Sequence, residues 1–357
     1  GKEVIFLGRS KNGEPLQNRI EGVLRSIEPH ISSQKIKVIE VDLHSHDLSV
    51  SPELKKELLD NKIEAIWHLA ANLSFREKDR EKIFSTNVEG LKNILNLASY
   101  LKSPVYYTST AYVHGRRPGV VLESELIRPD SFNNPYEESK FEAEKMIRKW
   151  GEDGNKFIIF RPSIFIELDR RTINFFGYYA IVYGLYAVKK RIGKEQIKIH
   201  FPFPYAKGVF LNLMPIDVAI RWMIDISRHS MALGKTFHIT NPSPFPMSDV
   251  TKQTFDALHI KIPVFKAPKW LIRLLFSFFY FIGFIFKPLR AIANKLYYYR
   301  YYMTQFNAYD MKNTTEFIGQ NALNQLKFPA DFVHTVAKEF IAKLHSTDKR
   351  SLLKKGY

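Results

Sequence analysis

The sequence predicts an α/β protein built on a doubly wound parallel sheet, with a smaller, apolar and basic C-terminal region. Three observations point there. Short apolar runs alternate with helical stretches up to residue 113, the charge balance changes at about residue 150, and the second half holds two long runs almost free of charge.

A chain of 357 residues can form one large domain with an elaboration or two modest ones. It has no cysteine, which excludes disulfides and thiolate metal sites and favours a reducing, cytoplasmic compartment. The eleven histidines are scattered without an HExxH. Asp42, His44, His46 and Asp47 follow a strand and read as a solvated loop, so no metal is expected. Residues 1–150 hold 23 Lys and Arg against 22 Asp and Glu, whereas residues 151–357 hold 30 against 14. The excess in the second half suits an anionic partner: phospholipid head groups, a phosphorylated substrate handle or an acidic carrier protein. No zinc-finger, RNP-like or basic-heptad pattern supports nucleic acid.

Taken in order, the apolar run Val4-Ile5-Phe6-Leu7-Gly8, closed by Arg9-Ser10, reads as a buried parallel strand. Residues 16–29 place Leu16, Ile20, Val23, Leu24 and Ile27 on one helical face. Strands over 36–42, 65–71 and 105–113 alternate with helices over 52–61 and 79–101, so a ligand belongs at the strands' carboxyl ends. The last strand runs into Thr108-Ser109-Thr110-Ala111-Tyr112-Val113-His114-Gly115, and Tyr136-Glu137-Glu138-Ser139-Lys140 follows. Tyr136 and Lys140 are four apart and share a helical face. A strand-end hydroxyl, a phenol and an ammonium together suit carbonyl reduction by a nicotinamide, with Lys140 expected to lower the phenol's pKa. Thr110 is the preferred hydroxyl and Ser109 the runner-up. The chain carries its own control: Tyr186-Ala187-Val188-Lys189-Lys190 has the same spacing with no strand-end hydroxyl before it, and reads as a core or membrane-proximal helix end.

Asp42-Leu43, His68-Leu69-Ala70-Ala71, Asn87-Val88-Glu89-Gly90, Ser109-Thr110-Ala111, the Tyr136/Lys140 pair and Arg161-Pro162-Ser163 resemble the extended short-chain dehydrogenase/reductases in order and spacing. Met214-Pro215-Ile216-Asp217-Val218-Ala219 and Thr236-Phe237-His238-Ile239 resemble two later strands of that family. The likeness covers roughly residues 1–245 and is strongest to the thioester reductase and fatty acyl-CoA reductase branch. It implies a Rossmann-like fold, with residues 1–163 binding NADP(H) and residues 164–357 binding substrate. It also implies Thr110, Tyr136 and Lys140 as catalytic residues, Lys140 bonding the nicotinamide ribose as well. Cofactor contacts would come from Arg9, Ser10, Asp42, Leu43, Leu69, Ala70, Ala71, Pro162 and Ser163. Gly8-Arg9-Ser10-Lys11 holds a cation and no acid where this fold reads the adenosine ribose, which favours NADPH over NADH. Asn87 is expected to bond backbone structurally, and His68 reads as readily as a satisfied core residue.

One departure matters. The family opens with a strand and a Gly-rich turn for the cofactor pyrophosphate, but Gly1-Lys2-Glu3-Val4 leads into what corresponds to the family's second strand, and no GxxGxxG occurs later. The expectation is that the native protein supplies this unit before Gly1. The other reading is a protein that no longer binds dinucleotide at full strength.

Residues 173–188 form an aromatic, uncharged run able to wall a long apolar pocket. Residues 270–286 are apolar with Arg273 as the only charge, which is short for a spanning helix. With the basic, tyrosine-rich sequel to residue 302 they read as a monotopic membrane attachment, ahead of a core helix or a true span. The tail 349–357 is basic and reads as mobile. The favoured function is an NADPH-dependent reductase of an acyl thioester, acyl-CoA or carrier-bound, or of its aldehyde. Alternatives are a sterol-like or nucleotide-sugar dehydrogenase or isomerase of the same family, and a membrane-associated binding protein on a degenerate reductase fold.

Overall fold

The computed structural model describes residues 3–11, 13–27, 35–167, 175–286 and 289–346. Expectations for residues 28–29, 173–174, 287–288 and 349–357 lie outside the described residues. Strand β1 (Val4–Gly8) leads through α1 (Leu16–Ile27) to β2 (Ile36–Glu40), then α2 (Pro52–Asp60) and β3 (Ile66–His68). Helix α2 begins where Ser51 accepts the Leu54 N–H and Pro52 takes the first turn, a position that needs no donor. The helix expected over 79–101 is α3 (Arg80–Phe84) and α4 (Gly90–Leu101), joined through a π turn at Ser85–Glu89. After β4 (Val105–Thr108) come α5 (Pro135–Glu152) and β5 (Phe157–Pro162).

Two strands are shorter than the apolar runs suggested, because β3 stops at His68 and β4 at Thr108. Beyond β4, Thr110 caps a 3-10 turn at Ala111–His114, its Oγ1 accepting the Tyr112 N–H at 3.3 Å. A short hydroxyl side chain that bonds nearby backbone ends the ladder at that point. Gly115 closes the turn at φ +55°, where a Cβ would stand 2.6 Å from the Ser131 carbonyl.

Helix α6 (Tyr178–Ile192) carries the aromatic run into the interior, and α7 (Ile216–Ser227) precedes strand β6 (Thr236–Ile239). The region expected as a strand from 214 is a short strand, Leu213–Pro215, that hands over at once to α7. The chain continues through α8 (Met247–Ala257), α9 (Lys269–Ile285) and α10 (Arg290–Tyr299) to a last helix at Phe332–Ser346.

The main sheet is parallel in the order β6-β5-β4-β3, and β1 and β2 form a separate parallel pair. The break falls between β1 and β3, where the resemblance puts the family's first strand. Along β5 successive residues face opposite layers. Phe157 and Ile159 pack with Leu91, Leu95, Ala143 and Ile147 of α4 and α5, while Ile158 and Phe160 pack with Trp222 and Ile226 of α7 and with Phe237. Burial on both faces gives the near-continuous apolar runs seen in the sequence. A separate core joins α6, α8, α9, α10 and the last helix around Tyr178, Val182, Phe255 and Phe276. Among the described residues no helix is long and apolar enough to cross a membrane.

The main sheet buries a charge. Arg161 of β5 is fully buried, with Nη2 2.6 Å from Glu144 Oε1 and Nε 3.1 Å from Oε2, and it donates to the Leu122 and Glu125 carbonyls. Arg148 and the Ser109 hydroxyl also donate to Glu144. The pair holds that carboxyl below its usual range despite burial, which alone would raise it. Glu144→Ala should therefore cost about 3–5 kcal/mol, since it strands a buried guanidinium. Glu316→Ala, at the exposed Lys235 pair, should cost less than about 1 kcal/mol. Urea unfolding of both variants checks this, and equal losses would remove Glu144 from its structural role.

Candidate active site

Helix α5 presents Tyr136 and Lys140 together because its first turn is strongly specified. The Asn134 side chain accepts the Glu137 N–H at 3.0 Å, Pro135 follows, and Glu137 and Glu138 lie at the positive end of the helix dipole. Tyr136 thus sits one residue into the helix and Lys140 one turn further, both facing the end of β4. Tyr136 is half-buried, and the Thr110 side chain lies close enough to offset part of what burial does to its phenol. Lys140 is buried, its Nζ donating to the Thr108 carbonyl at 2.8 Å and lying 4.7 Å from the centre of the Tyr107 ring.

The two strand-end hydroxyls differ in their partners. Ser109 is committed to Glu144 at 2.9 Å, so it serves the buried charge cluster, whereas Thr110 meets Tyr136. Asn87 ties the site from behind: its Oδ1 accepts the Asn72 N–H at 2.7 Å, and its Nδ2 donates to the Asn72 carbonyl and to Ser139 Oγ. The π turn that carries Asn87 thereby anchors both the loop after β3 and the helix bearing Tyr136.

Electrostatics differ from expectation in one respect. Burial pushes the Tyr136 phenol above its ordinary value, and the Thr110 side chain offsets only part of this. Lys140 was expected to lower that phenol. Instead burial brings Lys140 itself down to about 7. The phenol accordingly stays protonated throughout the neutral range, the state in which it can donate. His68, buried after Trp67, is pulled down to about 3 by burial and by Lys140, and it stacks on Tyr107 as a neutral core side chain.

The other expected positions gather at strand carboxyl ends. Arg9 and Ser10 are exposed beyond β1. Asp42 follows β2, accepting the His44 N–H at 3.0 Å and the Ser45 hydroxyl, and these bonds with the nearby Arg9 charge hold its carboxyl low. Leu43 lies against Gly90. Leu69 and Ala70 are exposed after β3, Ala71 is half-buried, and Pro162 and Ser163 end β5. A dinucleotide fits this set on its nicotinamide side. His68 Nε2, Thr108 Oγ1 and Ser163 Oγ are buried without a hydrogen-bond partner, and the Lys140 ammonium has donors beyond the one given to Thr108. Tyr186, the control tyrosine, lies in the α6 core near His345, apart from any strand end.

Sequence reasoning missed the residues that close the site. Tyr302 donates to Glu137 Oε1 and accepts from Asn134 Nδ2 at 2.9 Å, clasping the first turn of α5. Phe75 stacks on Tyr136 at 5.9 Å and meets Tyr299 at 5.5 Å and Tyr302 at 5.9 Å. Burial raises Glu137 to about 7 against the donors that hold it. Tyr299 and Tyr302 lie in the stretch that reads as an interfacial belt, but they turn inward. Their spacing after α9 carried no signal of this, because their partners lie far away in the chain. Behind them is an apolar cavity lined by Leu185, Val250, Phe255, Leu296, Tyr299 and Tyr302. A more polar cleft lies on the other side of Tyr302, beside Tyr112, His114 and Asn133.

The sequence profile described as Male sterility protein matches residues 1–223. A non-canonical nonribosomal peptide synthetase of Aspergillus campestris is 27% identical over 252 residues, which is 67% of this chain and 23% of that protein. Fatty acyl-CoA reductase 2 of Bos taurus is 32% identical over 108 residues, 28% of this chain and 20% of that one. The chain thus spans under a quarter of the length of either relative. The terminal R domain of the myxalamid PKS-NRPS pathway superposes with a TM-score of 0.74 at 21% identity, covering 96% of this chain and 84% of that domain, which establishes the shared fold.

The Lys140 shift makes a linkage prediction. The unfolded chain keeps this proton up to the ordinary value of 10.5, whereas the folded protein releases it near 7, so the unfolded state binds more protons between those values. The stability of the wild type relative to Lys140→Met should therefore rise by about 2 kcal/mol from pH 7 to pH 9 and change little below pH 7. Urea melts across that range measure it, and a flat difference would mean that the folded protein keeps Lys140 charged.

Proposed function

The chain belongs to the Male sterility protein family, within the extended short-chain dehydrogenase/reductases, and on that premise we propose that it is an NADPH-dependent reductase of an acyl thioester or of the aldehyde derived from it. The observation that carries the reading is the Tyr136 phenol held next to the Thr110 side chain and in ring contact through Phe75 with Tyr299 and Tyr302, which line an apolar cavity. Reduced nicotinamide, when bound, supplies the hydride. The remaining work falls to side chains of this chain. Thr110 donates to the substrate carbonyl oxygen and stabilises the negative charge that grows there. Tyr136, kept protonated by burial, delivers its proton to the same oxygen, which gives the alcohol from an aldehyde, or from a thioester a hemithioacetal whose C–S bond then breaks to leave the aldehyde and the free thiol. Lys140 holds the ribose and, as a cation, stabilises the tyrosinate left behind.

The Arg9 cation and the absence of an acid from Gly8-Arg9-Ser10-Lys11 support NADPH as the donor. Residues 1–163 would hold it and residues 164–357 the acyl chain. The apolar lining of the cavity favours a fatty or polyketide-like acyl group over a sugar, and the basic second half suits CoA phosphates or an acidic carrier protein.

Tyr136→Phe should lower kcat/KM for NADPH-dependent reduction of an acyl-CoA about 10²–10⁴-fold with the fold intact by circular dichroism. Thr110→Val should lose about 10²-fold or more. Turnover by Tyr136→Phe at the parental rate would take Tyr136 out of the chemistry. Retained NADPH binding with no reduction of acyl-CoA, carrier thioester or aldehyde by the wild type would sink the reductase reading.

A further inference from the structure

Helix α9 has an outer face that the described residues leave uncovered. Trp270, Leu274, Phe278, Phe281 and Ile285 recur at helical spacing and fall within an arc of about 80°. Each is 58–66% exposed. Scattered exposed apolar side chains are ordinary, but five large ones in one stripe are not. The opposite face is fully engaged. Ile272 and Phe276 are buried in the C-terminal core, Tyr280 stacks on Tyr297 at 4.2 Å, and a Cβ at Gly283 would meet Ala293 at 2.7 Å. The helix is thus pinned along its length against α10 and cannot turn its stripe inward.

Charge identifies what covers the stripe. Residues 257–309 contain eight Lys or Arg and no Asp or Glu. Lys261, Lys266 and Lys269 are exposed at the amino end of α9. Residues 199–203, which bond to the Lys261 and Pro263 carbonyls, add Phe201, 83% exposed. An apolar stripe on a segment whose charges are all cationic suits a surface that is apolar within and anionic at its rim. A helix of 17 residues is about 26 Å long, short of the hydrocarbon thickness, and one side of it is locked to protein. That geometry requires it to lie along a membrane rather than cross it.

We propose that the outer face of α9 seats the protein on an anionic lipid surface, with Trp270, Phe278 and Phe281 in the acyl boundary and the neighbouring lysines at the head groups. The same hairpin then has two working sides. Helix α10, packed behind α9, supplies Leu296 and Tyr299 to the wall of the apolar cavity, so the cavity stands one helix away from the lipid.

The test is flotation of the full protein with vesicles of phosphatidylcholine alone or mixed with phosphatidylglycerol. No turnover is needed, so the result stands apart from the reductase reading. The wild type should float with the anionic vesicles and bind neutral ones about tenfold less. Phe278→Ser/Phe281→Ser should reduce anionic binding about tenfold or more, with an unchanged melting temperature because both rings are exposed. Lys266→Glu/Lys269→Glu should narrow the difference between the two vesicle types. Wild type that fails to float with anionic vesicles overturns the proposal, as does a serine variant that floats equally well. A wild-type dimer in light scattering, split by the serine variant and indifferent to vesicles, would instead give the face to a second copy of the chain.

Discussion

The buried Arg161 guanidinium constrains everything around the site. Its desolvation is offset only if Glu144 on α5 stays within 2.6 Å and the Leu122 and Glu125 carbonyls stay in place. That requirement fixes α5 against β5. Since Ser109 also donates to Glu144, it fixes the end of β4 as well. Thr110 is the next residue along and Tyr136 lies two turns up the same helix, so the separation between them is inherited from a salt bridge that touches neither. An ion pair of this kind adds little net stability, but its geometry is demanding, and that demand fixes where Thr110 and Tyr136 stand.

The protonation pattern follows from burial more than from charge pairing. Tyr136 is pushed up, Lys140 down to about 7 and Glu137 up to about 7, each towards its neutral form. A pocket in which several groups prefer neutrality is poorly hydrated and welcomes an apolar substrate. An incoming anionic group would move Lys140 back towards its cation, since an opposite charge close by favours the charged form.

Much of the sheet was legible because both faces are buried, which turns each strand into an apolar run. Tyr136 and Lys140 were legible because four residues make one helical turn, and Tyr186 was separable from them because nothing like Thr110 precedes it. Ser109 and Thr110 could not be ranked on physical grounds from sequence, since the deciding partner, Glu144, lies 35 residues away. Tyr302 was illegible for the same reason more strongly, its bond to Glu137 spanning 165 residues. Local periodicity reports which face of a helix is apolar, and long-range pairing reports what that face meets.

The aromatic stretch from 270 to 302 shows why composition alone assigned it incompletely. Both of its helices are rich in large side chains, yet α9 keeps a stripe outside while α10 turns Tyr299 inward, and Tyr302 just beyond follows it. The difference lies in the close contact at Gly283. With no Cβ there, α10 can approach until Ala293 fills the space, and the two helices share one interface. Each must then find another surface for its remaining face. For α10 that surface is the cavity that Leu296 and Tyr299 line. For α9 it lies outside the chain, so a single small residue divides an apparently uniform apolar segment into a wall of the site and a face for a partner.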